Sequence, residues 1–149
     1  MDKLAQELKV LLGDSFGFYL KAHGFHWNVE GVNFPQYHAF FEVIYSEVYD
    51  SLDTMAEHIR QLDHYVPAGL SKLASLATIG DANGVPSAKG MLEELLKDNE
   101  VLLKQIDVVY ALAEKERRHG LSNFLADRGA AHSKHRWQLT ATLKNTGTH

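Results

Sequence analysis

The residues best placed to do chemistry are one histidine and three acids: His38, Glu42, Asp53 and Glu57. Imidazole and carboxylate together suit ferrous iron, zinc and manganese, and a chain without cysteine offers no competing thiolate. Their spacing ties them to one helical face. On a helix of about 3.6 residues per turn, all four fall within roughly 100° of arc. Phe40, Phe41, Ile44, Val48, Leu52, Met55, Ile59 and Leu62 form a separate stripe, roughly 200° to 320° from His38. The stripe is the face the helix buries, so the four polar residues point away from the chain's own core.

Axial spacing divides the four into two pairs. His38 and Glu42 are one turn apart, as are Asp53 and Glu57. Glu42 and Asp53 are separated by about 16 Å of helix. Metal–oxygen and metal–nitrogen bonds are about 2 Å long, so one ion cannot bridge both pairs on one straight helix. A second copy of the chain can. Both pairs share a midpoint between Glu47 and Val48, and a two-fold axis there sets His38 opposite Glu57 and Glu42 opposite Asp53. Tyr45, Ser46 and Tyr49 lie between the pairs and are available to pack across that axis. The plain alternative is a solvated acidic face. Against it, no lysine or arginine intersperses with the acids between His38 and Glu57.

The other histidines carry less. His23 and His26 share a face at i, i+3, and His26 continues an apolar stripe with Trp27 beside it. A histidine on such a stripe is ordinarily a hydrogen-bonded core residue. His132 and His135 form a second i, i+3 pair but have no acid at helical spacing on their own helix. His58, His64, His119 and His149 read as solvent-facing or terminal.

Helices must position all of these groups. Apolar residues recur at three- and four-residue steps from Leu4 through Leu8 and Leu12 to His26, predicting a first helix from about Asp2 to Asn28. A second runs from about Pro35 to His64, with proline in its first turn. Val66 to Ala77 reads as a turn and a short helix, and Thr78 to Pro86 as a surface loop. A third helix is expected from Ser87 to Arg118 and, beyond Gly120, a fourth from Ser122 to Leu143. The fold class is all-α, a four-helix bundle with a short helix between the second and third, in one domain spanning 1–149.

Composition narrows the function. The formal charge is −4, which argues against a generic nucleic-acid binder resting on a basic patch. No apolar run reaches membrane-spanning length, and the start of the chain lacks the pattern of a signal peptide. With no cysteine for disulfides, a cytoplasmic setting is the expectation.

Taken together, His26-Trp27-Asn28-Val29, His38, Glu42 and the run from Leu52 to Glu57 resemble the signature of Dps-type mini-ferritins. The likeness extends through FYLKAHGFHWNVEG, MAEHIRQLDHY and LSNFLADRGAAHSKHRWQLTATL, covering roughly residues 8 to 144. It implies a ferritin-like bundle, a dodecameric homo-oligomer and a ferroxidase centre at a two-fold interface. Carried onto this chain, the ligands are His26, His38 and Glu42 from one copy and Asp53 and Glu57 from the other. Trp27 resembles the tryptophan beside that centre, placed to supply or quench electrons. The implied chemistry is oxidation of Fe2+ to Fe3+ by hydrogen peroxide or dioxygen, with storage of ferric mineral; Zn2+ or Mn2+ would fit the same ligands. The chain departs from the family in having Glu42 where many members have aspartate. It also has no lysine-rich tail, so little DNA binding is expected. Arg117, Arg118 and His119 stand where family members tend to be acidic near an iron pore, and either face a pore or cap the third helix. Asp127 is a candidate for the pore entrance. The rival readings are a metal-binding cage without oxidation chemistry and a DNA-compacting helical protein.

Overall fold

A computed structural model describes residues 2–144, all of whose regular structure is helical. The elements are α1 (Lys3–Asn28), α2 (Phe34–Gln61), α3 (Leu70–Leu76), α4 (Ala88–Lys115) and α5 (His119–Leu143). Four long helices form the bundle and α3 is the short insertion between the second and third of them. The fold class is the one read from the periodicity.

Local chemistry starts and stops these helices. Asp2 caps α1 by accepting the Leu4 N–H at 3.0 Å, and Ser87 caps α4 by accepting the Gly90 N–H at 3.1 Å. Each such cap is worth about 1 kcal/mol. Between α1 and α2 the chain turns through Gly31, whose φ of 118° suits glycine alone. Two helix ends differ from the sequence reading. α2 closes at Gln61, with Asp63 in the left-handed region at φ 64°. α4 closes at Lys115, with Arg117 at φ 58° and the Arg118 N–H reaching back to the Ala113 carbonyl at 2.9 Å. Gly120 is therefore no breaker; it lies in the first turn of α5. Arg117 and Arg118 make the reversal itself and, with His119, are exposed.

α1 packs most extensively on α2, α4 packs on α5, and α1 with α4 joins the two pairs. The helices α2 and α5 also meet, less extensively than either of those pairs. Leu4, Leu8, Leu11, Phe18 and Ala22 of α1 meet Phe41, Ile44, Val48, Met55 and Ile59 of α2 and Leu95, Leu102 and Ile106 of α4 in one core. α3 lies on α1 over Gly13, where a Cβ would stand 3.0 Å from the Leu73 carbonyl oxygen. Buried Asp14 ties down the following loop, accepting from Thr78 N–H (2.6 Å), Ile79 N–H (3.0 Å), the Thr78 hydroxyl (2.6 Å) and the Gln105 amide. No described helix is long and apolar enough to cross a membrane.

Candidate metal centre

The α1–α2 turn returns the chain so that His26, in the last turn of α1, faces His38, in the first turns of α2. His26 Nδ1 lies 2.7 Å from the His38 carbonyl oxygen, and His38 Nδ1 lies 2.6 Å from the His26 carbonyl oxygen. A carbonyl only accepts, so each Nδ1 carries the proton and donates it. In the neutral rings both Nε2 lone pairs are then left for a ligand, the tautomer a metal requires. The rings stack with centroids 3.6 Å apart and planes 15° apart, and Phe34 covers His38 at 4.9 Å. His26 is thus both the hydrogen-bonded inner residue its stripe suggested and a histidine with a free coordinating atom.

The acids follow on α2. Glu42, Asp53 and Glu57 are all exposed, on the side of the helix opposite the buried Phe41, Ile44, Val48, Met55 and Ile59. None of the three has an ion pair or side-chain hydrogen bond among the described residues. Within one chain, the described residues bring no three His, Asp or Glu side chains to metal-holding distance. The structure thus brings His26 and His38 together, with Glu42 one turn beyond, and leaves Asp53 and Glu57 further along the same face.

Beside the histidines lies an aromatic cluster whose members Tyr45, Tyr49, His23 and Trp27 the sequence singled out separately without joining them. His23 stacks on Tyr45 at 3.8 Å and 10°, and Trp27 lies 4.2 Å from it on another side. The Tyr19 hydroxyl is hydrogen-bonded to His23 Nδ1 at 2.9 Å, and the Tyr49 ring lies 5.1 Å from that of Tyr19. Burial and then the charge of His26 lower the pKa of His23, with Glu42 opposing. Burial, with Tyr49 and Tyr45 adding to it, raises that of Tyr19. Trp27 itself is 60% exposed, on the outer side of α1 next to the histidine pair.

A model of the ferritin-like domain matches residues 5–148. The DNA protection during starvation protein of Helicobacter pylori (strain J99) is 32% identical over 142 residues, covering 95% of this chain and 99% of that one. Among solved structures, the Dps protein of Vibrio cholerae O1 superposes with a TM-score of 0.91 at 30% identity, covering 95% of this chain and 89% of that one. That protein is described as a member of a broad superfamily of ferritin-like diiron-carboxylate proteins. Dps from Thermosynechococcus elongatus superposes at 0.93 with 26% identity, over 98% and 94% of the two chains. The chain belongs to the Dps-type mini-ferritins.

Iron storage and protection are the general business of this family. In this mini-ferritin a second group of histidines lies inside the bundle. His132 and His135 of α5 are 1% and 3% exposed, not on a surface. The acid missing from their own helix comes from α2: His135 Nε2 donates to Glu47 Oε1 at 2.8 Å. Arg128 grips the same carboxylate with both ends of its fork. Sequence reasoning missed this cluster because Glu47 is 88 residues from His135, and no helical period links them. Of the remaining histidines, His58 is half-buried near Phe124, His64 is half-buried and His119 is exposed. His149 lies outside the described residues. Asp127 is exposed on α5.

Proposed function

We propose that this mini-ferritin oxidises ferrous iron at a centre shared between two copies of the chain. His26, His38 and Glu42 of one copy and Asp53 and Glu57 of the other supply the ligands, and Trp27 stands by as an electron donor or quencher. The observation that supports the reading best is the reciprocal pair of histidine-to-carbonyl hydrogen bonds. It holds two Nε2 lone pairs ready on a face whose three carboxylates have no ion-pair partner among the described residues. A ligand-rich, cation-free face that one chain cannot close calls for a metal and a partner.

The chemistry balances simply. Two Fe2+ give one electron each to hydrogen peroxide, which takes up two protons and leaves as two waters; dioxygen is the alternative oxidant. Carboxylate-rich ligation favours the harder ferric product. Ferric mineral would then collect inside a dodecameric cage built from two-fold dimers, each chain contributing one ferritin-like domain. The same ligands would take Zn2+ or Mn2+. With a charge of −4, the protein should bind DNA little, and a cysteine-free chain suits the cytoplasm.

The test is anaerobic loading with Fe2+ followed by peroxide, reading ferric absorbance, for the wild type beside His38→Ala/Asp53→Ala. Fast oxidation in the wild type and solution-like oxidation in the variant support the shared centre. Equal rates in both would remove the ferroxidase reading and leave a metal-binding cage.

A further inference from the structure

The Glu47–Arg128–His132–His135 cluster has a chemistry that the shared centre does not use. Its donor set of one carboxylate and two imidazoles is that of many zinc and non-haem iron sites. The hydrogen bonds define which atoms are free. Asn99 donates its amide to the His132 carbonyl at 2.9 Å, so its Oδ1 faces His132 Nδ1, at 2.7 Å, as an acceptor. His132 Nδ1 therefore carries the proton, and its Nε2 lone pair points at Arg128 Nη2, 3.1 Å away. The same Nη2 lies 3.1 Å from Glu47 Oε1, the oxygen that also meets His135 Nε2. One guanidinium nitrogen thus sits between a carboxylate oxygen and an imidazole lone pair, with the second imidazole joined to that oxygen.

We propose that the α2–α5 seam is a divalent transition-metal site whose cation is supplied by the chain itself, with Arg128 standing where the metal would bind Glu47, His132 and His135. Three further observations bear on it. Arg128 Nε and His135 Nδ1 are buried with no partner, so the guanidinium does not satisfy its surroundings as fully as a purpose-built ion pair would. Burial, with the charge of Arg128 and then of His135, holds His132 well below its usual range and keeps it a neutral donor. α2 and α5 share less contact than α1 with α2 or α4 with α5, and the long side chains of Glu47 and Arg128 meet across that seam.

The geometry also says why no metal enters while Arg128 is present. Metal–ligand bonds are about 2 Å, so Glu47 Oε1 and His132 Nε2, each 3.1 Å from Arg128 Nη2, have to close by about 1 Å, which the fork prevents. Without the fork, Glu47 can move, because its side chain is 37% exposed at the seam. His135 would coordinate through Nε2 by releasing the proton it now gives to Glu47, keeping one on Nδ1. The consequence for the native protein is that metal is kept out of the bundle interior.

The inference stands apart from the ferroxidase reading, and its test avoids the shared centre. In a His38→Ala/Asp53→Ala background, Zn2+ and Co2+ are titrated into the intact protein with and without Arg128→Ala. The expected result is one additional Zn2+ per chain, with a visible Co2+ spectrum, when Arg128 is removed. Adding His132→Ala should abolish both. Arg128→Lys, which keeps a cation at the seam, should gain no metal. No additional equivalent in folded Arg128→Ala, or an equivalent that survives loss of His132, overturns the proposal. Should Arg128→Ala fold poorly, refolding with Zn2+ should restore it, and failure of that rescue also counts against the proposal.

Discussion

The outer face of α1 and α2 and the α2–α5 seam use the same side-chain types to opposite ends. Both combine histidine with carboxylate, and both draw on α2. On the outer face the chain fixes the histidine tautomers through backbone carbonyls and leaves Glu42, Asp53 and Glu57 exposed without cations. In the seam a guanidinium meets the carboxylate, an imidazole and the space between them. Residue type therefore does not decide whether such a cluster binds metal. What decides is whether the chain supplies the compensating charge itself. An internally compensated cluster is structure, and one left uncompensated at the surface needs an ion or a partner.

Removing the seam's acid should produce the largest loss of stability. Glu47→Ala leaves Arg128, 5% exposed, as a buried charge whose carboxylate partner is gone. Breaking a fully buried pair costs roughly 3–5 kcal/mol; the 37% exposure of Glu47 lets water reach the site, so about 2–3 kcal/mol is expected here. Chemical denaturation of the metal-free protein measures it. A loss under about 0.5 kcal/mol, the size of an ordinary surface substitution, would mean that the seam is not the compensated cluster described.

This contrast also shows what could be read beforehand. Helical period alone separated the α2 core stripe from the ligand face, and Phe41, Ile44, Val48, Met55 and Ile59 are buried as that period requires. Axial spacing alone divided His38 and Glu42 from Asp53 and Glu57. The His26–His38 lock was not legible, because it depends on a turn that aims two rings at each other's backbone. Nor was the seam, whose Arg128 and Glu47 are 81 residues apart and meet only through tertiary packing. The α4–α5 junction misled for a different reason. Gly120 looked like the break, but Arg117 adopts the left-handed conformation that glycine usually supplies.

Acid should distinguish the two regions next. Burial pushes the Glu47 carboxyl upward, but hydrogen bonds from His135 and Arg128, with their charges, outweigh it and bring it from 4.5 down to about 2. A carboxyl lowered in the folded state contributes stability that is fully present above pH 4.5 and is lost as pH falls through about 2. Asp98 works the other way: burial outweighs its 2.7 Å hydrogen bond from Lys21 and raises its pKa, so protonation there favours the folded state. The stability difference between wild type and Glu47→Gln should therefore shrink between pH 4.5 and 2, measured by denaturation at each pH. A difference that stays constant across that window would show that the carboxylate charge is not what holds the seam.

The smallest effect belongs to Glu42, and its smallness is informative. Glu42→Gln removes an exposed charge that has no ion-pair partner among the described residues, so metal-free stability should change by no more than about 0.5 kcal/mol. Its effect should emerge only with a ligand that the folded face binds. A metal that binds the native state raises apparent stability by mass action, so Zn2+ should raise the Tm of the wild type more than that of Glu42→Gln. Glu47→Gln should behave in reverse, destabilised without metal yet still responsive to Zn2+. If Glu42→Gln instead costs more than about 1 kcal/mol in the absence of metal, a cation from a second chain already occupies that face. The outer face would then be compensated across an interface much as the seam is compensated within one chain.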